Sequence, residues 1–352
     1  MKKVSVIVPC YNASMYLPKC VDKLLAQTIG LENMEIILVD DASTDDGLTW
    51  GVIMDYEQRY PESIIAVHLE ENLRQGGARN VGVTYATGEF LIFSDADDWL
   101  MEQALERLYD TALEQDADVV ECLYKPIYDH NITVKEIETG EYYNELFNLD
   151  TEESRKSFLL ETMRRPHISF GSQGKLYRTS LVKEHNIRFA EHLIFEEPSF
   201  VVPVKLYVRK WYLLNEMLYV YYYSPGSTMR SDWFERKWDS SKVWVHLLQE
   251  LKERGALDQY YEEIEYLFVH WYMILTLKMW IQKKYTVGVS EMQQLQDTVI
   301  DSFPTVLQNK YLVERGQNGS WSGLALKLLQ IQICDESVAI VNGILRDMIE
   351  NL

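Results

Sequence analysis

Residues 88–100, GEFLIFSDADDWL, join a short apolar run to a cluster of acids. Phe90 and the three residues after it are apolar throughout, as expected of a strand that is covered on both faces of a sheet. Three carboxylates follow closely, on Asp95, Asp97 and Asp98. In an open parallel sheet, ligands bind beyond the carboxyl ends of the strands. The stretch therefore predicts a buried strand that ends at a polar edge facing a ligand.

The same alternation of strand and helix extends to both sides of this stretch. Short, mostly apolar runs predict five strands, at residues 3–9, 35–40, 64–69, 89–94 and 118–124. Helical spacing of apolar residues predicts four helices between them, at residues 16–25, 48–59, 77–86 and 102–114. Repeated strand–helix–strand units predict an α/β fold with a Rossmann-like, doubly wound and mostly parallel sheet.

The alternation stops after residue 125. Residues 126–150 predict an irregular or hairpin excursion, and residues 151–230 predict mixed short elements. From Trp233 onward the apolar spacing is helical, with Gly255 placed to end a helix. We therefore expect a first domain over residues 1–231, divided into halves at 1–125 and 126–231. A helical C-terminal domain is expected over residues 232–352.

The charge and the cysteines exclude several classes of protein. The chain of 352 residues has 34 Lys and Arg against 54 Asp and Glu, a formal charge of −20, which repels nucleic acids and anionic lipid surfaces. No local basic patch offsets this charge. Its four cysteines show no CxxC spacing, which argues against a zinc site and a disulfide framework.

The apolar segments are too short for a membrane span or a signal peptide. The longest, at residues 266–281, contains His270 and Lys278 and is shorter than the ~20 residues that a spanning helix needs. It predicts a buried helix. The first apolar run, before Pro9, is too short for a secretory signal. These features predict a cytoplasmic protein, and they leave open peripheral contact with the inner face of the cell membrane.

Two strand ends of the predicted sheet carry paired acids. Residues i and i+2 of an extended strand point the same way, so Asp95 and Asp97 offer two hard oxygen ligands, which suit Mg²⁺ or Mn²⁺. The alternative is a solvated acidic turn. Asp40 and Asp41 end the strand at 35–40 in the same manner, and two acidic strand ends in one sheet are hard to explain as turns alone. Asp98 fits a helix cap or a residue that supports the site.

Four segments follow one another in the chain: VSVIVPCYNASMYLPKCVDKLLAQT, EIILVDDASTDDG, ENLRQGGARNVGVTYATGEFLIFSDADDWL and GKLYRTSLVKEHNIRFAEHLIFEEPSF. In this order they resemble the nucleotide-sugar-dependent family 2 glycosyltransferases, which have the GT-A fold. The resemblance is dense over residues 2–125 and loose over residues 170–230. The helical C-terminal domain lies outside it.

For the nucleoside, the resemblance implies a pocket at the ends of the first two strands. Pro9, Tyr11 and Asn12 match positions that line it, with Tyr11 stacking on the base. Core packing is the alternative for this tyrosine. Asp40 and Asp41 match the acidic pair of the second strand end, and Asp41 matches the carboxylate that accepts the uracil N3–H.

For the diphosphate, the resemblance implies a metal-assisted site that uses Mn²⁺ or Mg²⁺. Arg79 matches a position near the diphosphate, and the glycines at 76–77 allow close approach of the backbone. Asp95, Ala96 and Asp97 match the DXD motif of this family. Its first acid faces the ribose, and its second binds the metal.

The resemblance further implies transfer with inversion, assisted by one general base. The family places this base in an acidic pair, which here is Glu196 and Glu197. Glu197 matches the base and Glu196 is the reserve, although the family commonly has aspartate at the second position. Two acids at the start of a helix are the alternative. Gly174 is a second departure, because the family often has asparagine there.

The predicted reaction moves a single hexose or N-acetylhexosamine from a UDP-sugar to a hydroxyl of a glycan, a teichoic acid or a lipid-linked acceptor. Single-sugar transfer is implied because the chain lacks the QxxRW motif and the membrane spans of processive synthases. Aromatic residues at 218–228 fit either sugar stacking or a core. A homo-oligomer through the C-terminal helices stays open.

Three other functions are less consistent with the sequence than this reaction. A nicotinamide dehydrogenase is excluded because PCYNAS, after the first strand, has no glycine. A sugar-nucleotide pyrophosphorylase is disfavoured because the same place lacks a glycine-rich basic loop. An inactive sugar-nucleotide-binding or scaffolding protein is the remaining alternative, and the intact acids count against it.

Overall fold

A mixed sheet, nine-stranded over the described residues, is the framework of the first part of the computed structural model. The structure describes residues 2–128, 144–165, 168, 170–223, 234–316 and 320–350. The chain divides into two compact units, residues 1–232 and 233–352. The strands are β1 Val4–Cys10, β2 Met34–Asp40, β3 Ile64–His68, β4 Phe90–Phe93, β5 Trp99–Leu100, β6 Val119–Tyr128, β7 Glu145–Asn148, β8 Lys175–Arg178 and β9 Lys210–Tyr223.

Eight α-helices among the described residues accompany this sheet. They are α1 Leu17–Leu25, α2 Leu48–Arg59, α3 Arg74–Tyr85, α4 Ala104–Glu114, α5 Glu152–Leu159, α6 Glu161–Arg164, α7 Thr179–Glu184 and α8 Glu197–Tyr207. Helix α1 shows why they form, since its buried residues recur with helical spacing at Leu17, Val21 and Leu24. Pro18 is in its first turn, where no backbone N–H donor is needed.

The predicted α/β fold is confirmed, and the sheet is more mixed than its first half suggests. The strand order is β3-β2-β1-β4-β8-β6-β9-β5, and β7 also pairs with β9. Strands β1 to β4 are parallel, as predicted. Strand β8 then lies antiparallel between β4 and β6. The described ends of the predicted excursion at 126–150 contribute to β6 and β7, and residues 129–143 of that prediction lie outside the described residues.

Helix α3 begins three residues earlier than predicted, at Arg74. The earlier start adds Gly76, so the helix includes three glycines, which are poor helix formers. Gly76 is required there by packing, because a Cβ atom at this position would come 2.5 Å from the carbonyl oxygen of Ala190. Close packing brings α3 against the segment that leads into α8.

An aromatic cluster joins β4 to α8 beneath the strand end. The Phe93 and Phe200 rings meet edge to face with centroids 5.3 Å apart, and Phe189 stacks on Phe200 at 4.3 Å. All three side chains are buried. Such aromatic contacts add stability beyond the area they bury. The cluster therefore fixes the start of α8 next to the acidic end of β4.

The second unit is helical over its described residues. Its α-helices are α9 Asp239–Glu253, α10 Ala256–Gln259, α11 Tyr261–Phe268, α12 Thr276–Gln282, α13 Val289–Ser302, α14 Lys310–Arg315, α15 Trp321–Gln330 and α16 Asp335–Glu350. A π-helical segment, Val269–Leu275, joins α11 to α12. The apolar segment at 266–281 is therefore helical and mostly buried, as predicted. Nowhere in the described parts of the chain is a helix both long and apolar enough to cross a membrane.

Candidate functional site

A cavity of about 300 Å³ opens at the carboxyl ends of β1, β2 and β4. Strand β1 lies between β2 and β4, which is where the order of the sheet reverses and where ligands of such sheets bind. Of the predicted site residues, those that line the cavity are Pro9, Tyr11, Asn12, Asp41, Asp95, Ala96, Asp97, Glu196 and Glu197. Asp40 and Arg79 are buried and are not among the lining residues.

The two acids at the end of β2 have different surroundings. Asp40 is buried, accepts hydrogen bonds from the backbone N–H and hydroxyl of Ser43, and lies 2.8 Å from the His68 ring nitrogen. Asp41 accepts the backbone N–H of Leu73 at 2.7 Å and lines the cavity. Burial raises the pKa of Asp41 to about 6. Asp40 therefore braces the loop after β2, and Asp41 presents a carboxylate to the cavity.

Tyr11 and Asn12 connect the end of β1 to the loop after β2. The Asn12 amide donates to the Thr44 hydroxyl at 3.2 Å and accepts the Thr44 backbone N–H at 2.8 Å. Asn12 has a positive φ of 49°, which asparagine tolerates better than most residues. Tyr11 is 44% exposed, so core packing does not account for it. Its ring is accessible at the rim of the cavity.

The acids after β4 divide between the cavity and the interior. Asp95 and Asp97 both line the cavity, whereas Asp98 is buried. Asp98 accepts the Tyr219 hydroxyl at 2.6 Å and the Tyr222 backbone N–H at 2.8 Å. Burial raises the pKa of Asp98 to about 9, and the neighbouring Asp95 and Asp97 act in the same direction.

Asp98 therefore supports the strand end from behind and does not cap a helix. Helix α4 begins later, with Gln103 as its N-cap. The Tyr219 hydroxyl that donates to Asp98 also accepts the backbone N–H of Asp95 at 3.2 Å. Through this hydroxyl, β9 holds the turn that carries Asp95 and Asp97.

Arg79 lies beneath the cavity and binds two of the predicted site acids. Its guanidinium donates to Asp95 Oδ1 at 2.8 Å and to Glu196 Oε1, and no part of the side chain is exposed. Its Nε atom has no hydrogen-bond partner among the described residues. The positive charge of Arg79 is thus paired with carboxylates that flank the cavity. Arg79 holds these acids in position from their buried side.

Glu196 and Glu197 stand at the start of α8 in different environments. Glu196 is the N-cap residue and is buried against Arg79, whereas Glu197 is the first helical residue, is partly buried and lines the cavity. Burial and the adjacent Glu197 raise the pKa of Glu196 to about 7, while Arg79 opposes this shift. The helix start suits both acids, as the alternative prediction states, but only Glu197 combines cavity access with partial exposure.

The sequence did not single out every residue of the cavity. Arg74, Gln173 and Tyr16 also line it, and Arg74 is the only Lys or Arg among the described residues that do so. Arg74 precedes the glycine pair, and Gln173 precedes the GKLY segment, so both lie in conspicuous stretches. Tyr221 lines the cavity from the aromatic group at 218–228, of which residues 224–228 lie outside the described residues.

The described residues contain no group of three or more His, Cys, Asp or Glu side chains arranged to hold a metal ion. Two carboxylates, those of Asp95 and Asp97, nevertheless line one cavity. A magnesium-type ion needs only one or two carboxylates when water and substrate phosphates complete its shell. The donor set therefore fits an ion that binds together with a phosphorylated ligand.

Comparison with known proteins identifies the family. The profile described as Glycosyl transferase family 2 matches residues 5–184. Glycosyltransferase GlyG of Streptococcus pneumoniae is 30% identical over 253 residues, which cover 69% of this chain and 77% of GlyG. Poly(ribitol-phosphate) beta-glucosyltransferase of Bacillus spizizenii is 29% identical over 222 residues, which cover 63% of this chain and 32% of that protein. The chain thus spans about a third of the length of this second relative.

A solved structure shows the same fold. S. aureus TarS 1–349 in complex with UDP-GlcNAc matches with a TM-score of 0.69 at 21% identity, over 99% of this chain and 91% of that one. The family profile and the relative GlyG establish the family, and the TarS structure establishes the architecture. The chain therefore belongs to glycosyl transferase family 2, and it is a glycosyltransferase with the GT-A fold.

Proposed function

We propose that the protein transfers a single hexose or N-acetylhexosamine, with inversion, from a UDP-sugar to a hydroxyl of a glycan, a teichoic acid or a lipid-linked acceptor. The observation that carries this proposal is the meeting of Asp41, Asp97 and Glu197 around one cavity. These carboxylates come from the ends of β2 and β4 and from the start of α8. We assign Asp41 to the uracil base, Asp97 to the diphosphate through a metal ion, and Glu197 to the reacting hydroxyl.

Asp41 is proposed to recognise uracil. One oxygen of its carboxylate accepts the Leu73 N–H, and the residue lines the cavity. An ionised carboxylate accepts the N3–H of uracil, whereas cytosine has no proton on N3, so uridine is favoured. The accessible Tyr11 ring at the rim provides a face on which the base stacks.

Asp97 is proposed to hold Mn²⁺ or Mg²⁺ against the diphosphate, with Asp95 directed toward the ribose. Both carboxylates line the cavity, and hard oxygen donors suit these ions. When bound, such an ion offsets the charge that develops on the leaving diphosphate. Arg74, on the same cavity, adds a positive charge near this group.

Glu197 is proposed to be the general base. In the reaction, the acceptor oxygen forms a bond to the anomeric carbon while the bond from that carbon to the diphosphate breaks. The acceptor proton passes to the Glu197 carboxylate. Glu196 stays the reserve, because its carboxylate is buried and bound to Arg79.

The acceptor class is proposed from the relatives. One of them is a poly(ribitol-phosphate) beta-glucosyltransferase, which by its name acts on a polyol-phosphate polymer. This supports a cell-surface glycan or teichoic acid as the acceptor. It does so only by family analogy, because related sites on one fold serve different substrates.

A screen of UDP release tests the proposal. The purified protein is incubated with common UDP-sugars, Mn²⁺ and acceptor fractions, alongside Asp97→Ala and Glu197→Gln. Each variant is expected to lose about 100-fold or more in turnover, since a lost charge stabiliser or general base typically has this effect. Asp55→Ala and Glu102→Gln, which change exposed ion-paired acids elsewhere, are matched controls and should keep full turnover.

Two results would contradict parts of this proposal. Full turnover by Asp97→Ala would refute the metal assignment. If no UDP-sugar is turned over, and calorimetry shows no metal-dependent binding of UDP, the proposed transfer from a UDP-sugar fails. The alternative of an inactive sugar-nucleotide-binding protein predicts binding without turnover.

A further inference from the structure

Gln173 occupies the space between two of the proposed site acids. Its side-chain Nε2 lies 2.9 Å from Asp95 Oδ2 and 3.3 Å from Glu197 Oε1. The residue is 8% exposed and lines the cavity. One amide group therefore connects the acid at the end of β4 to the acid at the start of α8.

The chemistry of the two acids fixes the orientation of this amide. Ionised carboxylates only accept hydrogen bonds, and the NH₂ group of glutamine is the only part of its side chain that donates. It has two hydrogens, one for Asp95 and one for Glu197. Reversing the amide would place its carbonyl oxygen against two carboxylates. The bridge, meaning the pair of hydrogen bonds from Gln173 to Asp95 and Glu197, therefore requires an amide. A side chain of the same size without an amide does not form it.

The backbone that carries Gln173 is held unusually firmly. Four consecutive carbonyl oxygens, at residues 171–174, each accept a hydrogen bond from a different donor. The donors are Lys175 Nζ to Gly171 at 2.7 Å, the Tyr177 hydroxyl to Ser172 at 3.2 Å, the Tyr124 hydroxyl to Gln173 at 2.5 Å, and the Cys122 backbone N–H to Gly174 at 2.9 Å.

The next residue contributes to the same geometry. Gly174 has φ of +63°, a conformation that glycine adopts without strain and that asparagine tolerates best among the other residues. Both glycine and the asparagine common in the family therefore suit this turn. A fixed backbone with one polar side chain aimed between two acids is the arrangement expected of a group that orients others.

We propose that Gln173 is a positioning residue that sets the Glu197 carboxylate relative to Asp95. The inference rests on the proposed function, in which Glu197 is the base. Asp95 and Glu197 depend on Gln173 to different degrees. Asp95 is also held by Arg79, whereas Gln173 is the only residue among those described that donates a hydrogen bond to the Glu197 carboxylate. Loss of the bridge should therefore disturb Glu197 more than Asp95.

Gln173→Met tests this, because methionine has nearly the length and volume of glutamine but donates no hydrogen bond. We expect kcat to fall about 10- to 100-fold, since misplacing a reacting group by ~1 Å has an effect of this size. The KM for the UDP-sugar should change less than about 3-fold, because Arg79 still holds Asp95. A purely structural role would instead lower the unfolding midpoint without this split between kcat and KM.

A double substitution shows whether Gln173 affects kcat through Glu197 or through a general disturbance of the site. If Gln173 acts through Glu197, then Gln173→Met should reduce kcat little further in a Glu197→Gln background. Gln27→Met is the matched control. Gln27 is also buried, and its amide donates to two groups, the backbone carbonyls of Lys23 and Met101, outside the cavity. This control should keep kcat.

A second variant keeps the test usable if Gln173→Met does not fold. Gln173→Asn retains the amide but is one methylene shorter, so it reaches one acid and not both, and kcat should again fall with KM for the donor little changed.

The outcomes distinguish this inference from the proposed function. A kcat within about twofold of the unsubstituted protein in a folded Gln173→Met, or fully additive losses with Glu197→Gln, overturns the positioning role while the transferase assignment stands. Absence of any turnover by the unsubstituted protein overturns the proposed function, and the inference falls with it.

Discussion

Asp41 is expected to make binding of the donor depend on pH. In the proposed function the ionised carboxylate of Asp41 accepts the uracil N3–H, and burial raises the pKa of Asp41 to about 6. The acid is therefore ionised at neutral pH and becomes protonated as the pH falls through about 6. Protonation leaves only a neutral and weaker acceptor, so donor affinity should decline on the acid side.

The size of the effect follows from this pKa. With a pKa of about 6, roughly nine-tenths of Asp41 is ionised at pH 7 and roughly one-tenth at pH 5. If only the ionised form binds uracil in this way, the dissociation constant of the donor rises about tenfold between these pH values. Asp41→Asn should bind more weakly at pH 7 and lose most of this dependence, because its side-chain oxygen does not titrate.

Calorimetric titration at pH 5, 6, 7 and 8 with constant Mg²⁺ measures this. UDP-glucose or UDP-N-acetylglucosamine is the better ligand than UDP, since a diphosphate esterified at both ends has no proton that titrates in this range. Asp41→Asn also serves as the control for titration of other groups in the cavity. A dissociation constant at pH 5 within a factor of two of its value at pH 7, or the same slope in Asp41→Asn, would refute the reasoning.

Two further predictions concern stability, measured by urea unfolding. Lys205→Met should stabilise the protein by about 2–4 kcal/mol at pH 7, because burial lowers the pKa of Lys205 to about 7 and its ammonium has no hydrogen bond among the described residues. The gain in stability should shrink as the pH rises toward ~10. Lys205 then loses its proton in the unfolded chain as well, as it already has in the folded chain. Gly174→Ala should lower the free energy of unfolding by about 1–2 kcal/mol because of the positive φ, and Gly174→Asn by less.

Each of the two stability predictions has an outcome that would contradict it. The aromatic faces around the Lys205 ammonium, those of Phe158, Phe170 and Trp211, offset part of its desolvation. If Lys205→Met is no more stable than the unsubstituted protein at pH 7, these contacts outweigh the burial of the charge. Equal losses for Gly174→Ala and Gly174→Asn would mean that backbone conformation is not the determining factor.

The first half of the sheet was predictable because its signals are local. Each parallel strand is a short apolar run, and the helices between them bury one face at helical spacing. The antiparallel β8 gives no such signal. Its first residue, Lys175, is charged, yet it is fully buried because it pairs with Glu121 on β6. When the burial of a strand depends on an ion pair with a residue far away in the sequence, the local pattern of apolar residues does not predict that strand.

The candidate site was predictable where the position of a residue along a strand decides its access to the cavity. Asp41, Asp95 and Asp97 follow strands, so their place at the cavity follows from the topology. Asp40 and Arg79 are buried instead, which depends on contacts with partners far away in the sequence. The position of Gln173 between two acids depends on packing in the same way.

The place of β8 in the sheet has a consequence for biosynthesis. Strands β4 and β6 are made early, but the strand that separates them, Lys175–Arg178, leaves the ribosome some 50 residues after β6. Until then each of the two strands has an unpaired edge, and unpaired edges promote association between nascent chains. A fragment ending near residue 125 should therefore aggregate, and one that continues past residue 223 should be the shortest soluble form of the first unit.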